Sequence, residues 1–200
     1  MIAAPDDGLD DDGLAGIAGL RERVRALPPS CGPARLVGID GHAGSGKSTL
    51  ADRLSAALGG APVVRLDDFA THASFFGWTE PLTRQVLRPL AAGRTARYLT
   101  YDWERGAFTG ARVLQPAPVV LLEGVGAGRR ALRPWLALLI WLDVPAPVAW
   151  KRGRRRDGPG LGDFWDRWEA AESAHFVKDP SRPFADILML SRGGRHDARW

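Results

Sequence analysis

Apolar residues follow two rhythms along this chain. Short, nearly unbroken runs occur at Leu36-Val37-Gly38-Ile39, Pro62-Val63-Val64-Arg65-Leu66, Pro118-Val119-Val120-Leu121-Leu122, Leu138-Leu139-Ile140-Trp141-Leu142 and Ile187-Leu188-Met189-Leu190. Their length and continuity predict strands buried on both faces. Between them, apolar positions recur at helical spacing. Leu14, Ile17, Leu20, Val24 and Leu27 form one such set, ended by Pro28-Pro29, and Leu50, Leu54, Ala57 and Leu58 form another, ended by Gly59-Gly60. Glu80-Pro81 opens a third helix through Leu82, Val86, Leu87 and Leu90 to Gly93, and further helices are expected over Arg129–Leu136, Pro147–Arg156 and Phe164–Phe176. Arg97–Trp103 and Arg112–Leu114, around Gly106 and Gly110, predict a hairpin, and Thr71–Trp78 a loop. Strands alternating with helices imply an α/β fold, a mostly parallel sheet flanked by helices. Met1–Gly13 is rich in Asp and Gly and reads as a flexible acidic tail, leaving 14–200 as one domain.

One junction between these rhythms carries chemistry. The first apolar run leads into Gly41-His42-Ala43-Gly44-Ser45-Gly46-Lys47-Ser48-Thr49, which contains the spacing Gly-x-x-x-x-Gly-Lys-Ser, and a helical pattern follows at once. Strand, glycine loop and helix form the context in which this spacing binds nucleoside triphosphates. Glycines let successive backbone N–H groups converge on phosphate oxygens, and the helix N-terminus favours the anion. Lys47 brings a cation to the β- and γ-phosphates, and the Ser48 hydroxyl suits Mg²⁺. Gly41, Ala43, Gly44, Ser45, Gly46, Lys47, Ser48 and Thr49 are therefore the expected nucleotide contacts, with ATP and Mg²⁺ as cofactors.

Composition narrows the remaining choices. The 200 residues are 45% hydrophobic and 25% charged, an ordinary balance for a folded domain. Lys and Arg outnumber Asp and Glu by 27 to 23, and five aspartates fall within Asp6–Asp12, so the remainder is more basic than the total suggests. Such an excess suits nucleic acid, but phosphate handling also requires cations. The single cysteine, Cys31, excludes an internal disulfide and a cysteine-based metal cluster. An acidic N-terminus argues against a secretory leader, and the longest apolar run, Trp135–Val144, is too short to span a bilayer. The expectation is a cytoplasmic protein with no membrane partner.

Phosphoryl transfer needs a metal carboxylate, a base beside the accepting hydroxyl, and cations near the moving phosphoryl group. Glu123, at the end of a buried run, is the expected metal carboxylate together with Ser48; the plainer reading is a strand-end acid. Asp67 and Asp68 follow the second run, and Asp67 is the preferred base, against the common alternative of a turn aspartate. Lys151, Arg152, Arg154, Arg155 and Arg156 precede Gly158-Pro159-Gly160. This segment, roughly 151–162, reads as a lid that brings Arg152 and Arg156 to the phosphates, with a solvated basic face or a nucleic-acid patch as alternatives. Trp141, Trp165 and Trp168 are expected in the core, whereas Tyr101 and Trp103 are better placed for substrate. His42 receives no role.

Assembled in this way, Arg35–Leu190 resembles the uridine kinase-like branch of phosphate-loop kinases, which includes phosphoribulokinase-like and pantothenate kinase-like enzymes. Asp67-Asp68-Phe69 resembles the family's Asp-x-Phe, whose first Asp is the catalytic base. Tyr101-Asp102-Trp103 is similar to a Tyr-Asp-aromatic element of the nucleoside pocket, Leu122-Glu123-Gly124 to the Glu-Gly metal site, Arg152–Asp157 to the lid, and Phe184-Ala185-Asp186-Ile187 to a late strand. Ala70 stands where the family usually has Tyr, and Thr79 where a sugar-binding Asp precedes Pro by two residues. No histidine near Arg105-Gly106 matches the family's pyrimidine contact. The resemblance implies an ATP-dependent kinase acting on a hydroxyl of a small molecule, a nucleoside first, with Glu80 as a candidate replacement for the sugar contact. Nucleic acid is not an expected partner, and a homo-oligomer is compatible with this reading. The alternative is a phosphate-loop ATPase with a regulatory or nucleic-acid-linked role and no small-molecule acceptor.

Overall fold

A computed structural model of the chain describes residues 11–192 and 195–199. Helix α1 (Asp11–Ala26) leads through Pro28-Pro29 into strand β1 (Arg35–Gly41), the phosphate loop and helix α2 (Lys47–Ala57). Strand β2 (Val63–Arg65) ends in a 3₁₀ turn, Leu66–Asp68. Helix α3 (Thr79–Leu82), a π turn (Thr83–Leu87) and helix α4 (Arg88–Ala91) run on as one rod, followed by strands β3 (Ala96–Asp102) and β4 (Ala107–Leu114). Strands β5 (Val119–Glu123) and β6 (Leu138–Leu142), helices α5 (Ala146–Asp157) and α6 (Gly162–Lys178), and strands β7 (Ile187–Arg192) and β8 (Arg195–Arg199) complete the order.

The main sheet runs β2-β5-β1-β6-β7-β8; its first five strands are parallel, and β8 pairs antiparallel with β7. Central β1 lies between β5 and β6, so the chain changes direction across the sheet at the C-terminal end of β1, where α/β folds open a crevice. The continuous apolar runs are explained by burial on two sides. Along β1 and β5, Leu36, Val120 and Leu122 enter the layer formed with Val64, Leu82, Val86, Leu90 and Tyr98. Their neighbours Val37, Ile39 and Leu121 enter the opposite layer with Leu20, Val24, Leu50 and Leu54. Each such side chain contributes roughly 1.5–3 kcal/mol through removal from water.

Three local expectations change. Arg129–Leu136 is a series of turns with a 3₁₀ segment at Arg133–Trp135, not a regular helix. Pro134 lacks an amide hydrogen, and the amide of Arg130 is taken by the Asp179 carboxylate at 3.0 Å. Gly106 lies in the β3–β4 turn as expected, but Gly110 pairs with Thr100 inside β4. Strand β8 has no apolar run to announce it. Residues 1–10, most of the predicted tail, lie outside the described residues, and α1 begins before the expected boundary.

Helix α5 packs unusually close to its neighbours. A Cβ on Gly153 would stand 2.2 Å from the Trp165 ring on α6, and one on Gly44 2.1 Å from the carbonyl oxygen of Ala149 on α5. Gly153→Ala should therefore destabilise the fold by about 1–3 kcal/mol through overpacking, reversing the roughly 1 kcal/mol gain that Gly-to-Ala normally gives inside a helix. Urea denaturation monitored by circular dichroism measures the sign; a raised midpoint would show that α5 and α6 can part without cost.

Candidate functional site

The phosphate loop follows directly from β1. Its shape depends on Gly44 and Gly46, both with left-handed backbone (φ 82° and 99°), and Gly46 caps α2. Lys47 is buried and donates from Nζ to the carbonyl of His42 at 2.9 Å, spanning the loop. Gly41 donates its amide to Asp40 at 2.7 Å, while Ser45 is buried.

Residues far apart in sequence converge on the mouth of this loop. A cavity of about 270 Å³ is lined by Ala43, Gly44, Gly46, Lys47, Ser48, Thr49, Asp67, Glu123, Arg152 and Arg156, among others. Gly41 and Ser45, expected at the nucleotide, are not part of this lining. Glu123 is nearly fully buried at the end of β5; it accepts from Ser48 Oγ at 3.3 Å and from Arg65 Nη1 at 2.9 Å. Arg65 ends β2 opposite Glu123 in register and also reaches Asp52 at 2.8 Å. Burial pushes the Glu123 pKa up; Lys47 opposes this, nearby Asp67 adds to it, and Arg65 opposes it.

Ser48 and Glu123 present hard oxygen donors side by side. No group of three or more His, Cys, Asp or Glu side chains suited to a metal occurs among the described residues. A cation here would take two protein side chains and complete its shell with phosphate and water, the usual pattern for Mg²⁺. The donor set fits that ion.

Asp67 lies in the 3₁₀ turn after β2, exposed into the cavity yet sunk among protein atoms. Desolvation raises its pKa, while Lys47, Arg156 and Arg65 pull it down. It also lines a second cavity, of about 370 Å³, walled by His72, Trp103, Leu161, Phe164, Trp165 and Trp168, with Arg156 and Asp157 at its edge. The Trp103 indole donates to the Asp67 carbonyl at 3.2 Å, tying the β3–β4 hairpin to the turn that carries this acid.

Several expectations need revision. Trp165 and Trp168 are buried but also form cavity wall, so the core assignment was incomplete. Tyr101 stands behind the wall, its hydroxyl 2.9 Å from His72 Nδ1. Glu80 lines neither cavity; its carboxylate is exposed and pairs with Arg84 at 3.1 Å. Thr79 bonds to buried Arg129, which also donates to the Phe76 carbonyl at 3.0 Å and lies 3.7 Å over the Trp78 ring. Burial lowers the Arg129 pKa to about 10. Of the basic run, Arg152 and Arg156 face the first cavity, whereas Arg154 binds Asp166 and Glu169 on α6.

Sequence reasoning missed four supporting residues. Arg65 had one signal, a charge inside an apolar run. Asp40, fully buried, accepts from the amides of Gly126 at 2.9 Å and Gly128 at 2.8 Å and so shapes the loop beyond Glu123. Arg129 fixes the segment before α3. Glu172 reaches His42, which was given no role.

No family model matches the chain. Solved structures do. A possible uridine kinase from Bacillus stearothermophilus is 24% identical, with 88% of this chain and 97% of that one covered at a TM-score of 0.64. A protein from Silicibacter sp. TM1040, provisionally described as a fructose transport system kinase, is 26% identical over 82% and 89% of the two chains, with a TM-score of 0.59. D-glycerate 3-kinase from Cryptococcus neoformans is 14% identical over 93% and 97%, with a TM-score of 0.53. The chain has the fold of these proteins, a mostly parallel sheet flanked by helices with a phosphate loop after its first strand.

A carboxyl whose pKa is raised by folding costs stability while ionised. Asp67→Asn should therefore raise the urea midpoint at neutral pH without changing the slope. The difference from the parent should shrink as pH falls through the raised pKa, because Asp67 then becomes neutral as well. A lower midpoint for the variant at pH 7 would contradict the assignment of Asp67 as a desolvated acid.

Proposed function

We propose that the chain is an ATP-dependent phosphotransferase that moves the γ-phosphoryl group of ATP to a hydroxyl of a small molecule, a nucleoside in the finer reading. One observation carries it: Asp67 lines both the cavity of the phosphate loop and the aromatic cavity beside it. An acid shared by an anion cradle and an apolar chamber is where an acceptor hydroxyl must lie to face a phosphate.

In this reading the loop amides, Lys47 and the N-terminus of α2 hold the triphosphate. Ser48 and Glu123 would hold Mg²⁺, which supplies positive charge to the phosphate oxygens when bound. Asp67 accepts the hydroxyl proton as the oxygen bonds to the γ-phosphorus and the bond to the bridging oxygen of ADP breaks. A pKa raised above the ordinary value makes the carboxylate a stronger base than a typical aspartate. Arg152 and Arg156, carried on α5 at the cavity wall, neutralise charge on the phosphoryl group in transit. The acceptor's ring stacks in the aromatic chamber; the flat faces of Trp103, Phe164 and Trp168 favour a nucleobase over a bare sugar.

ADP release from ATP–Mg²⁺, measured against nucleosides, pantothenate, ribulose 5-phosphate and other small alcohols, with DNA and RNA as controls, tests this. Strong stimulation by one small alcohol is expected, and stimulation by nucleic acid alone would replace the kinase with an ATPase. Lys47→Ala should abolish turnover. Asp67→Asn should lower kcat on the order of 10²–10⁴-fold with nucleotide affinity nearly unchanged; the opposite split would remove Asp67 from the role of base.

A further inference from the structure

Glu172 lies on α6, outside the nucleotide lining, and is completely buried. Its two carboxylate oxygens receive four donors. Oε1 takes the Trp150 indole N–H at 2.9 Å and lies 2.6 Å from His42 Nδ1, while Oε2 takes the Ala43 amide at 3.1 Å and the Trp168 indole N–H at 2.8 Å. His42 and Ala43 belong to the phosphate loop, Trp150 to α5 and Trp168 to α6. The ring of His42 is enclosed edge-on by Trp141, Trp150 and Phe176 at 5.4, 6.0 and 5.3 Å. Burial alone would raise the Glu172 pKa; the His42 hydrogen bond, with the charges of Lys47 and His42 and the Trp150 indole, holds it below the ordinary value. The group is thus an ionised carboxylate kept dry by design of its donors, which is costly unless each lone pair is used.

Its partners are the parts that must keep register. Ala43 and Trp168 each line both cavities, and Trp150 is two residues from Arg152 on α5. We propose that Glu172 is a positioning residue: it locks the phosphate loop against α5 and α6, so that the anion cradle and the helix carrying Arg152 and Arg156 form one preorganised unit. The inference rests on the nucleotide-site reading above and concerns how that site is held.

The α6 residue one turn earlier supplies a matched comparison. Glu169 also links α6 to α5, through Arg154 at 2.7 Å, but among the described residues it makes no hydrogen bond to the phosphate loop. Glu172→Gln keeps the volume yet leaves one oxygen for four donors, so either the His42–Trp150 pair or the Ala43–Trp168 pair must face an NH₂ group. Affinity for AMP-PNP–Mg²⁺, measured by calorimetry well below the unfolding temperature of each variant, provides the readout. Glu172→Gln should weaken binding about tenfold, within the usual range of coupling between linked sites, and Glu169→Gln should leave it unchanged. Trp150→Phe, which removes one donor and keeps the carboxylate, should weaken binding by about two- to fivefold and carries the test if Glu172→Gln does not fold. Equal affinity in the parent and these two variants, or an equal loss in Glu169→Gln, would overturn the proposal while leaving the nucleotide reading intact. A parent protein that does not bind AMP-PNP–Mg²⁺ would overturn both.

Discussion

The approach of the phosphate loop to α5 is the constraint on which the site depends. Backbone meets backbone at Gly44, with no room for a single methyl group before the carbonyl of Ala149. Loop amides can converge on an anion only if something behind them prevents relaxation, and here that support is a helix held in turn against α6 at Gly153 and Trp165. Because the same helix points Arg152 and Arg156 into the cavity, this packing contact helps to place the cradle and its cations together. Interiors packed at this density transmit small displacements, so geometry is preserved without a dedicated brace at every residue.

Much of this was readable in the sequence, and the reasons are physical. A parallel strand buried on both faces must be apolar throughout, so β1, β5 and β6 stand out, and the loop after β1 has a spacing that few other structures require. Acids at strand ends gather at one sheet edge by topology alone, which is why Glu123 and Asp67 could be chosen without coordinates. The acceptor side was harder to read. Glu80 was suggested by the resemblance alone, and Tyr101 by local context, but which face of a hairpin residue meets a cavity depends on register and on the bulge between Thr100 and Tyr101. Trp165 and Trp168 looked like core because helical spacing cannot distinguish a buried wall from a cavity wall. Glu172 was invisible: its partners come from segments up to 130 residues away, and no local pattern marks a carboxylate that will be buried.

The electrostatics of the site divide between two kinds of acid. Glu172 and Asp40 are surrounded by donors and serve shape; Asp67 and Glu123 are desolvated with cations nearby and retain unused capacity. The second kind costs stability on its own and suits a site that receives a cation or a hydroxyl. The site is accordingly less comfortable than the scaffold around it, as expected where a fold carries chemistry.

That Asp67 belongs to two adjoining cavities also bears on the stereochemistry of the proposed reaction. Acceptor and donor would be present together, on opposite sides of one carboxylate, leaving no need for an enzyme-bound phosphoryl group to wait between half-reactions. A single in-line displacement has one outcome at a chiral phosphorus: the configuration inverts, and the enzyme returns to its starting state in the same event that forms product.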